Sequence, residues 1–335
     1  MIICKPYAEY WENTNNIAQI ARAAKLCYAS QIKENEPIHD FIEDKWNMGH
    51  RSIFRHGTRY FVVPMYSRAS DVIQAYFKNP FLTIVLAETY YFISTNNQFY
   101  REHLCDTALN DYEVSEKQLI AKAKNIGAIK QAAQVLRRTI LVQTQISTSR
   151  ELNRTSPNNI CEQSTRYCNF TKEKFRGAVR LCEPHWLNVT KNVLTDTKVD
   201  EVKMHVDLNN NIKFNDITVD SWVDTDKWPI TTNEVKGKFY IVDAAKHYLI
   251  KCFDSCLLYE ELVEGANFLP QDARGVLPLD TATKVVYTYS LKEWKHILDL
   301  RYYGVTGAPH PNAKIAANLI RLELNKSQDF IKFVE

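Results

Sequence analysis

Short β-rich runs alternate along this chain with segments whose apolar residues recur at a helical period. Helical spacing is clear in NIAQIARAAKLCY near the start and in DAAKHYLIKCFDSCLLYEELVEG, which stops at Gly265. The β-rich runs are TRYFVV before Pro64, TILVQTQIST and KVVYTY. A chain that alternates in this way is expected to form a mixed α and β fold.

The remaining segments complete this outline. DVIQAYF and TIVLAETYYFISTNNQFYREHL have mostly a helical period, and residues 117–138 predict a further helix. Ser290 and Glu293 have the spacing of a capping box that opens the helix LKEWKHILDL. Between residues 185 and 240 the pattern changes to short alternating pieces with Asn-rich turns. We therefore expect one domain over residues 1–335 with an inserted β-rich lobe at 185–240.

Bulk properties exclude several classes of protein. A formal net charge of +3 over 335 residues is too small to indicate a nucleic-acid partner. The chain has no run of about 18 apolar residues, so no membrane partner is expected. The first residues lack the layout of a secretory signal, which favours a cytoplasmic location.

The eight cysteines are scattered without zinc-ligand spacing, so we interpret them as reduced thiols and expect no metal. Cys252 and Cys256 lie four residues apart on one helix face. That spacing suits a metal, but two small core residues are the favoured interpretation.

Residues 150–167, RELNRTSPNNICEQSTRY, contain three arginines, two glutamates, two serines and three asparagines. Arginine forks and hydroxyl groups bind phosphate, so Ser164, Thr165 and Arg166 predict a turn that grips an anion. A solvated polar loop with local ion pairs is the alternative. Arg274 and Arg301 strengthen the first interpretation only if the fold brings them close.

Several segments carry a resemblance to a known family. CEQSTRYCNFTKEKF resembles the signature of the flavin-dependent thymidylate synthases, which in one branch reads QESTRYCNYSKDKF and follows HELVRHR. WNMGHRSIFRHGTRYFVV is similar to the family's GHxSxxEH segment, and FISTNNQFYRE to its SGNxRxxRE segment. LVEGANFLPQDARGVLP resembles the stretch that ends in ExARxxLP, and YTYSLKEWKHILDLR resembles NLRxWxxFLxLR. All of these segments occur in the family's order.

The resemblance implies an α/β (α+β) fold in which helices flank a mixed sheet, assembled as a homotetramer with shared active sites. It also implies a site for dUMP or a related deoxypyrimidine monophosphate. The nucleotide-binding residues carried over from the family are Arg154, Glu162, Ser164, Thr165, Arg166, Arg274 and Arg301. Among them, Ser164, Arg166 and Arg301 are the expected catalytic residues.

The family's flavin site is less well matched. The residues at its positions are His50, Ser52, Arg154, Thr155, Ser156, Asn159, Ser290, Lys292 and His296. The family's RHR is replaced by Arg154, Thr155 and Ser156, its motif Ser by Asn159, and its NLR by Ser290, Leu291 and Lys292. Arg55 replaces the Glu of GHxSxxEH, and Gln98 replaces the Arg of NxR. Each lost contact to a charged group weakens binding by about 1.5–3 kcal/mol if it is buried.

The implied activity is reductive methylation of dUMP to dTMP, in which methylenetetrahydrofolate gives the carbon, FAD carries the hydride and NADPH reduces the flavin. The altered flavin positions leave two alternatives open. One is another C5 modification, such as hydroxymethylation, and the other is a non-catalytic nucleotide-binding paralogue.

Cys161 is an alternative nucleophile, because flanking arginines lower the pKa of an accessible thiol. A buried thiol without a catalytic role is the favoured interpretation of this residue.

Overall fold

The computed structural model describes residues 1–12, 15–33, 35–156, 158–187, 189, 201–216, 222–224 and 238–334. The strands are β1 (Ile2–Cys4), β2 (Tyr7–Trp11), β3 (Thr58–Pro64), β4 (Leu82–Ala87), β5 (Tyr90–Asn96), β6 (Glu113–Val114), β7 (Arg137–Gln145), β8 (Ile160–Glu162), β9 (Arg180–Cys182), β10 (Glu201–Val206), β11 (Ile212–Asp216), β12 (Trp222–Asp224) and β13 (Ala282–Ser290).

Helices occur throughout the described residues. The α-helices are α1 (Asn16–Cys27), α2 (Ile38–Asn47), α3 (Ser70–Ala75), α4 (Asn97–Phe99), α5 (Glu116–Asn125), α6 (Ile129–Ala133), α7 (Ile146–Thr155), α8 (Lys238–Glu260), α9 (Pro270–Ala273), α10 (Leu291–Leu298), α11 (Pro311–Leu324) and α12 (Gln328–Val334). Short 3₁₀ helices span Arg51–His56, Ala108–Tyr112, Glu173–Phe175 and Arg274–Val276, and π-helical turns span Tyr100–Leu104, Glu261–Gly265 and Asp299–Tyr303. These elements confirm the predicted mixed α and β class.

The chain divides into two compact units. The first unit contains Met1–Tyr7, Gln143–Glu151 and Gln163–Lys284, and the second contains Ala8–Val142, Leu152–Glu162 and Val285–Glu335. No helix among the described residues is long and apolar enough to span a membrane.

The first unit is built on a five-stranded sheet with the order β12-β11-β10-β1-β9. The pairs β12-β11, β11-β10 and β10-β1 are antiparallel, whereas β1 and β9 are parallel. Three of these strands, β10 to β12, fall within residues 185–240, where the sequence predicts an inserted lobe. The parts of that predicted lobe at 190–200, 217–221 and 225–237 lie outside the described residues.

The second unit contains an antiparallel sheet with the order β4-β5-β3-β6 and most of a sheet with the order β2-β7-β13-β8. Its core includes Tyr289, Trp294 and Leu298, all of which are buried. Every residue of β7 is buried, including the apolar run Ile140–Val142 and the polar residues on either side of it. The indole Nε1 of Trp294 donates to the carbonyl oxygen of Arg138 at 3.0 Å, so the largest core side chain also satisfies its one polar group.

Several sequence predictions are confirmed. Helix α1 follows the predicted spacing and its N-cap residue Asn15 accepts hydrogen bonds from two backbone N–H groups. Strand β3 ends at Pro64, as expected. Ser290 and Glu293 form the predicted capping box at the start of α10, with both reciprocal hydrogen bonds present. Cys252 and Cys256 are buried core residues, as favoured.

Two helix predictions are wrong. The segment TIVLAETYYFIS forms a hairpin of β4 and β5, joined at Glu88, which has a φ of +53°. Consecutive apolar residues fit a helix and a buried strand equally well, and the turn has no Gly, Pro or Asn to indicate it. Residues 117–138 do not form one helix, because Gly127 takes a φ of +69° between α5 and α6.

Candidate functional site

The predicted anion-gripping turn lies in the first unit. The backbone N–H of Arg166 donates to the Ser164 hydroxyl oxygen at 3.2 Å, and the N–H of Cys168 donates to the Ser164 carbonyl at 3.1 Å. These two bonds fix the turn around Thr165 and leave the guanidinium of Arg166 exposed. The guanidinium lies 5.4 Å from the centre of the Tyr167 ring.

Arg274 lies next to this turn. Its 3₁₀ helix follows α9, and its Nη1 donates to the hydroxyl oxygen of Thr165 at 3.0 Å. These two residues are 109 positions apart in the sequence. Within the first unit, the structure therefore brings Arg274 into contact with the turn at residues 164–166. These are the residues of the predicted nucleotide set that this unit contains. Both arginines of this group, Arg166 and Arg274, are exposed.

The remaining nucleotide residues lie in the second unit. Helix α7 ends at Thr155, whose hydroxyl oxygen accepts a hydrogen bond from Nε of Arg301 at 3.0 Å. Arg301 lies in the π-helical turn that continues from α10, and it is half-buried. A bond through Nε leaves both terminal nitrogens of this guanidinium available as donors. Arg154 is exposed at the end of α7.

Glu162 is connected to the same helix end. Strand β8 pairs with β13 so that Glu162 is opposite Val285. The amide Nδ2 of Asn153 lies 3.4 Å from a Glu162 carboxylate oxygen, and its Oδ1 accepts from the Tyr287 hydroxyl at 2.8 Å. Asn153 and Tyr287 are positioning residues that sequence reasoning missed. Asn153 lies between Leu152 and Arg154, which both match the family motif. This position is the only feature of the sequence that indicates a role for Asn153.

The four arginines of the predicted nucleotide set differ from most others in their electrostatic environment. Arginines that pair with a carboxylate are Arg22, Arg51, Arg59, Arg68, Arg101, Arg138, Arg176 and Arg180. In the part of the chain that the structure describes, Arg154, Arg166, Arg274 and Arg301 have no such pair. The alternative interpretation of the motif as a loop of local ion pairs is therefore not supported for these arginines.

Three residues at the predicted flavin positions are buried and hydrogen-bonded within the second unit. The carbonyl of Ser156 accepts from the Tyr289 hydroxyl, and the hydroxyl of Ser290 belongs to the α10 capping box. Asn159 is fully buried with a φ of +55°, and its Oδ1 accepts from Asn96 Nδ2 at 3.0 Å. The Ser156 hydroxyl also lies 3.4 Å from a Glu293 carboxylate oxygen, whereas Nδ2 of Asn159 has no hydrogen-bond partner among the described residues.

The other residues at flavin positions are more accessible. His50, Ser52, Lys292 and His296 are exposed, as is Arg154. Lys292 and His296 lie on α10, whereas Ser52 belongs to the 3₁₀ helix that follows His50. All of these residues are in the second unit.

Two departures from the family pattern contact each other. Nε of Arg55 donates to Oε1 of Gln98 at 2.7 Å, and the Arg55 guanidinium lies 5.0 Å from the centre of the Phe81 ring. Partial burial lowers the pKa of Arg55. The family has Glu at the position of Arg55 and Arg at the position of Gln98. The cationic side chain is therefore at residue 55 in this chain, whereas the family pattern has it at the position of residue 98.

A buried polar cluster in the second unit surrounds Thr288, and sequence reasoning missed it. The Thr288 hydroxyl lies 2.9 Å from Nδ1 of His56 and 2.8 Å from the Thr139 hydroxyl. Its carbonyl accepts from Arg137 Nη2 at 3.1 Å, and its N–H donates to the carbonyl of Asn159. Burial, with smaller contributions from Arg137 and Arg55, lowers the pKa of His56 to about 3, so this imidazole is neutral at pH 7.

Cys161 is buried in β8, as the favoured interpretation predicts. Its Sγ lies 3.0 Å from Sγ of Cys27, and the shared hydrogen bond together with burial raises the pKa of Cys161 well above its ordinary value. The suggestion that flanking arginines activate this thiol as a nucleophile is therefore wrong. Among the described residues, no cluster of His, Cys, Asp and Glu is suited to hold a metal ion.

No curated protein matches the chain. Among solved structures, a UMP/dUMP methylase, PolB from Streptomyces cacaoi bound with 5-Br dUMP, is similar with a TM-score of 0.39 and 14% identity. That match covers 99% of this chain and 96% of the other. A likeness at this level carries no argument about substrate or mechanism.

The family comparison is more informative. The model of the thymidylate synthase complementing protein family, Thy1, matches residues 95–324. This range is more than half of the chain, and it includes the 164–166 turn, Arg154, Arg274 and Arg301. The chain belongs to the thymidylate synthase complementing protein family.

Proposed function

We propose that this chain modifies C5 of the pyrimidine ring of deoxyuridine monophosphate, and that the reaction is reductive methylation of dUMP to dTMP. Methylenetetrahydrofolate would be the carbon donor, and FAD and NADPH would supply the reducing equivalents. Family membership supports an enzyme of this class. The observation that carries the proposal is that Arg154, Arg166, Arg274 and Arg301, all predicted to bind the nucleotide, lack a carboxylate partner among the described residues, as do Arg55, Arg137, Arg150 and Arg321 elsewhere.

The phosphate is the natural ligand for the two of these arginines that lie in the first unit. Arg274 presents an exposed guanidinium that contacts the Thr165 hydroxyl, and Arg166, whose guanidinium is also exposed, belongs to the same turn as Ser164 and Thr165. Planar guanidinium forks and hydroxyl donors match the oxygens of a phosphate monoester, and each charge-assisted bond contributes about 1.5–3 kcal/mol. A guanidinium that already pairs with a carboxylate is a weaker ligand, because that pair must break first.

Catalysis requires that negative charge on the pyrimidine be stabilised when its C5 position reacts. We assign this role to Arg166 and Arg301, with Ser164 as a further hydrogen-bond donor. Arg301 is preorganised by its bond to Thr155, which fixes the direction of the guanidinium before substrate binds. Glu162 would bind the nucleotide through its carboxylate, which Asn153 and Tyr287 hold in place.

The flavin, when bound, supplies the hydride. Its diphosphate needs cationic and hydrogen-bonding partners, and Arg154, Lys292, His50, Ser52 and His296 are exposed and of the right type. These residues would hold the flavin, and Thr155 lies next to Arg154 in the sequence. Ser156 and Ser290 fit less well as direct ligands, because their buried hydroxyls bond to the Glu293 carboxylate. Asn159 is fully buried and its Oδ1 bonds to Asn96, but its Nδ2 has no hydrogen-bond partner among the described residues. We propose that these three residues hold the surrounding backbone in place and do not contact the flavin directly.

A second candidate is a different C5 modification, such as hydroxymethylation. The changed charges at Arg55 and Gln98 favour it, because the family has an anionic Glu and a cationic Arg at these positions and this chain has a cationic Arg and a neutral Gln. A non-catalytic nucleotide-binding paralogue is the outcome that remains if neither product forms.

The test is to incubate the full chain with dUMP, FAD, NADPH and methylenetetrahydrofolate and to measure the mass of the nucleotide product. Gain of one methyl group supports the synthase proposal, and a hydroxymethyl product supports the second candidate. Binding of dUMP without any product would indicate the paralogue. Failure to bind dUMP at all would overturn the proposal.

A matched pair of variants ties the result to the site. Arg274→Ala removes an exposed arginine that contacts Thr165, and Arg68→Ala removes an exposed arginine 3.6 Å from Asp111, away from the motif in sequence. We expect at least roughly tenfold weaker dUMP binding for Arg274→Ala only. Equal affinities of the two variants would contradict the assignment. Assembly as a homotetramer is part of the same proposal, and a stable monomer in sedimentation would count against it.

A further inference from the structure

Cys27 and Cys161 are the two thiols of a close contact within the second unit. Cys27 is the last residue of α1, and Cys161 is the middle residue of the three-residue strand β8. Their sulfur atoms are 3.0 Å apart, although 134 positions separate them in the sequence. A disulfide bond requires sulfurs about 2.05 Å apart, so an approach of about 1 Å is enough to form one.

The two thiols differ in accessibility. Cys161 is buried, whereas Cys27 is half-buried and is therefore the more accessible residue of the two. Cys161 has one thiol proton and two acceptors in reach, the Ala23 carbonyl at 3.2 Å and the Cys27 sulfur. When Cys27 loses its proton, the Cys161 thiol can donate to the Cys27 thiolate. This hydrogen bond lowers the pKa of Cys27 below that of an ordinary thiol and raises the pKa of Cys161.

We infer that Cys27 and Cys161 form a redox modification site, at which a low-molecular-weight disulfide converts the two thiols into an intramolecular disulfide bond. The accessible, more acidic thiol attacks first and the buried one completes the bond.

The exchange balances in two steps. The Cys27 thiolate attacks one sulfur of the small disulfide RSSR, which gives a mixed disulfide and releases RS⁻. The Cys161 sulfur then attacks the Cys27 sulfur, loses its proton to the leaving group and releases RSH. Two protein thiols are oxidised and one RSSR is reduced to two thiols. Burial makes Cys161 a slow attacker, so the mixed disulfide should accumulate before the intramolecular bond.

The modification has a consequence for the site, which rests on the proposed function. Cys161 is adjacent to Glu162 in β8, and β8 is held to β13 by only three residue pairs. Drawing the Cys161 sulfur towards α1 displaces the neighbouring carboxylate from its position beside Asn153. We expect the disulfide to weaken dUMP binding by roughly tenfold, the effect of losing one bond to a charged group.

The chain contains a matched control pair. Cys4 and Cys182 face each other across the parallel strands β1 and β9 in the first unit, and both are fully buried. The side chains of this pair are also hydrogen-bonded to each other. In both pairs the two thiols are close together, but only the Cys27 and Cys161 pair contains a half-buried residue. Comparing the two pairs therefore tests whether the partial exposure of Cys27 makes its pair reactive.

The experiment treats the reduced full chain with cystamine, quenches samples with acid over time and maps disulfides by mass spectrometry of unreduced peptides. We expect a cystamine adduct on Cys27, then a bond between Cys27 and Cys161, while Cys4 and Cys182 stay reduced. Cys161→Ser should stop the reaction at the adduct, and Cys27→Ser should abolish both products. Cys105→Ser, at another half-buried thiol, should change neither.

Three outcomes would overturn the inference. They are an adduct on Cys27 that never transfers to Cys161, no reaction of either thiol, or equal oxidation of the Cys4 and Cys182 pair. Binding of dUMP is measured separately before and after oxidation and again after reduction. Unchanged affinity in the oxidised chain would overturn the coupling to Glu162. Lack of dUMP binding by the reduced chain would instead count against the proposed function and leave the mapped disulfide as evidence for the modification site.

Discussion

The turn at residues 164–166 and the segment from Ser156 to Asn159 belong to the same motif, yet their side chains have opposite environments. In the turn, backbone hydrogen bonds fix the conformation and the Arg166 guanidinium remains exposed. In the segment, Ser156 and Asn159 are buried and their polar groups contact neighbouring parts of the second unit. The exposed turn is the part of the motif that we propose binds the nucleotide, whereas the second region contributes buried contacts to the fold.

The largest effect is expected when Asn159 is replaced by Ala. Ala disfavours the left-handed conformation at φ +55°, and it leaves the buried Nδ2 of Asn96 without an acceptor. We expect the free energy of unfolding in urea to fall by about 3 kcal/mol, from about 1 kcal/mol of strain and about 2 kcal/mol for the unsatisfied donor. Asn159→Gly is the control, because it relieves the strain and should recover about 1 kcal/mol. An unchanged stability of Asn159→Ala would show that the buried segment does not stabilise the fold.

The next largest effect is expected on dUMP binding, when Arg166 in the exposed turn at residues 164–166 is replaced. Arg166→Ala should weaken dUMP binding by about 10- to 100-fold, because a charge-assisted contact to phosphate or ring is lost. The melting temperature should not change, since this guanidinium is exposed and has no ion pair among the described residues. Calorimetric titration and thermal unfolding measure the two quantities on the same sample. A large loss of stability with intact binding would show that the turn, like the segment, serves the fold.

The sequence predicted the elements whose periodicity or capping is unambiguous. Helix α1, strand β7 and the Ser290 capping box are examples, and each depends on local rules. The β4 and β5 hairpin was not predictable, because its turn at Glu88 lacks the usual turn residues.

The candidate site was predictable only in part, for a similar reason. A motif match gives residue identity, but it does not reveal whether a side chain faces a ligand or the core. The contact between Arg55 and Gln98 joins residues 43 positions apart, and the contact between Asn153 and Tyr287 joins residues 134 apart. Such pairs depend on tertiary packing, which local patterns do not encode.

Acid should destabilise the buried region through His56. The pKa of His56 is about 3 in the folded chain, below the ordinary value of 6.5 that applies when the chain unfolds. Between these values the unfolded state binds a proton that the folded state does not, so stability falls as pH decreases from 6.5 towards 3. The contribution of this one group is about 1.4 kcal/mol per pH unit in that window, and about 2 kcal/mol between pH 6.5 and pH 5.

The His56→Gln variant should lose this part of the pH dependence of the free energy of unfolding. His39→Gln, at an exposed histidine, should retain it. Urea titrations at several pH values between 5 and 7 give the slopes. Identical slopes for wild type and His56→Gln would mean that this imidazole is hydrated and does not belong to the buried region.

The smallest effect distinguishes the cost of losing a buried hydrogen bond from the cost of losing a helix cap, since two capping boxes occur among the described residues. Ser290 and Glu293 form one at α10, where Ser290 is fully buried and also accepts a hydrogen bond from Thr83 at 3.0 Å. Ser115 and Gln118 form the other at α5, where Ser115 and its hydrogen bonds are exposed. Replacing an N-cap Ser by Ala typically costs about 1 kcal/mol.

Ser290→Ala should therefore cost about 1 kcal/mol of the free energy of unfolding for the cap, and more for the unsatisfied Thr83 hydroxyl, whereas Ser115→Ala should cost only the capping contribution. Binding of FAD to Ser290→Ala, followed by flavin fluorescence, distinguishes support from direct contact. If Ser290 only supports the fold, FAD affinity should change little at a temperature where the variant is fully folded. A loss of FAD binding under those conditions, with Ser115→Ala unaffected, would make Ser290 a ligand and remove it from the group of residues that serve only the fold.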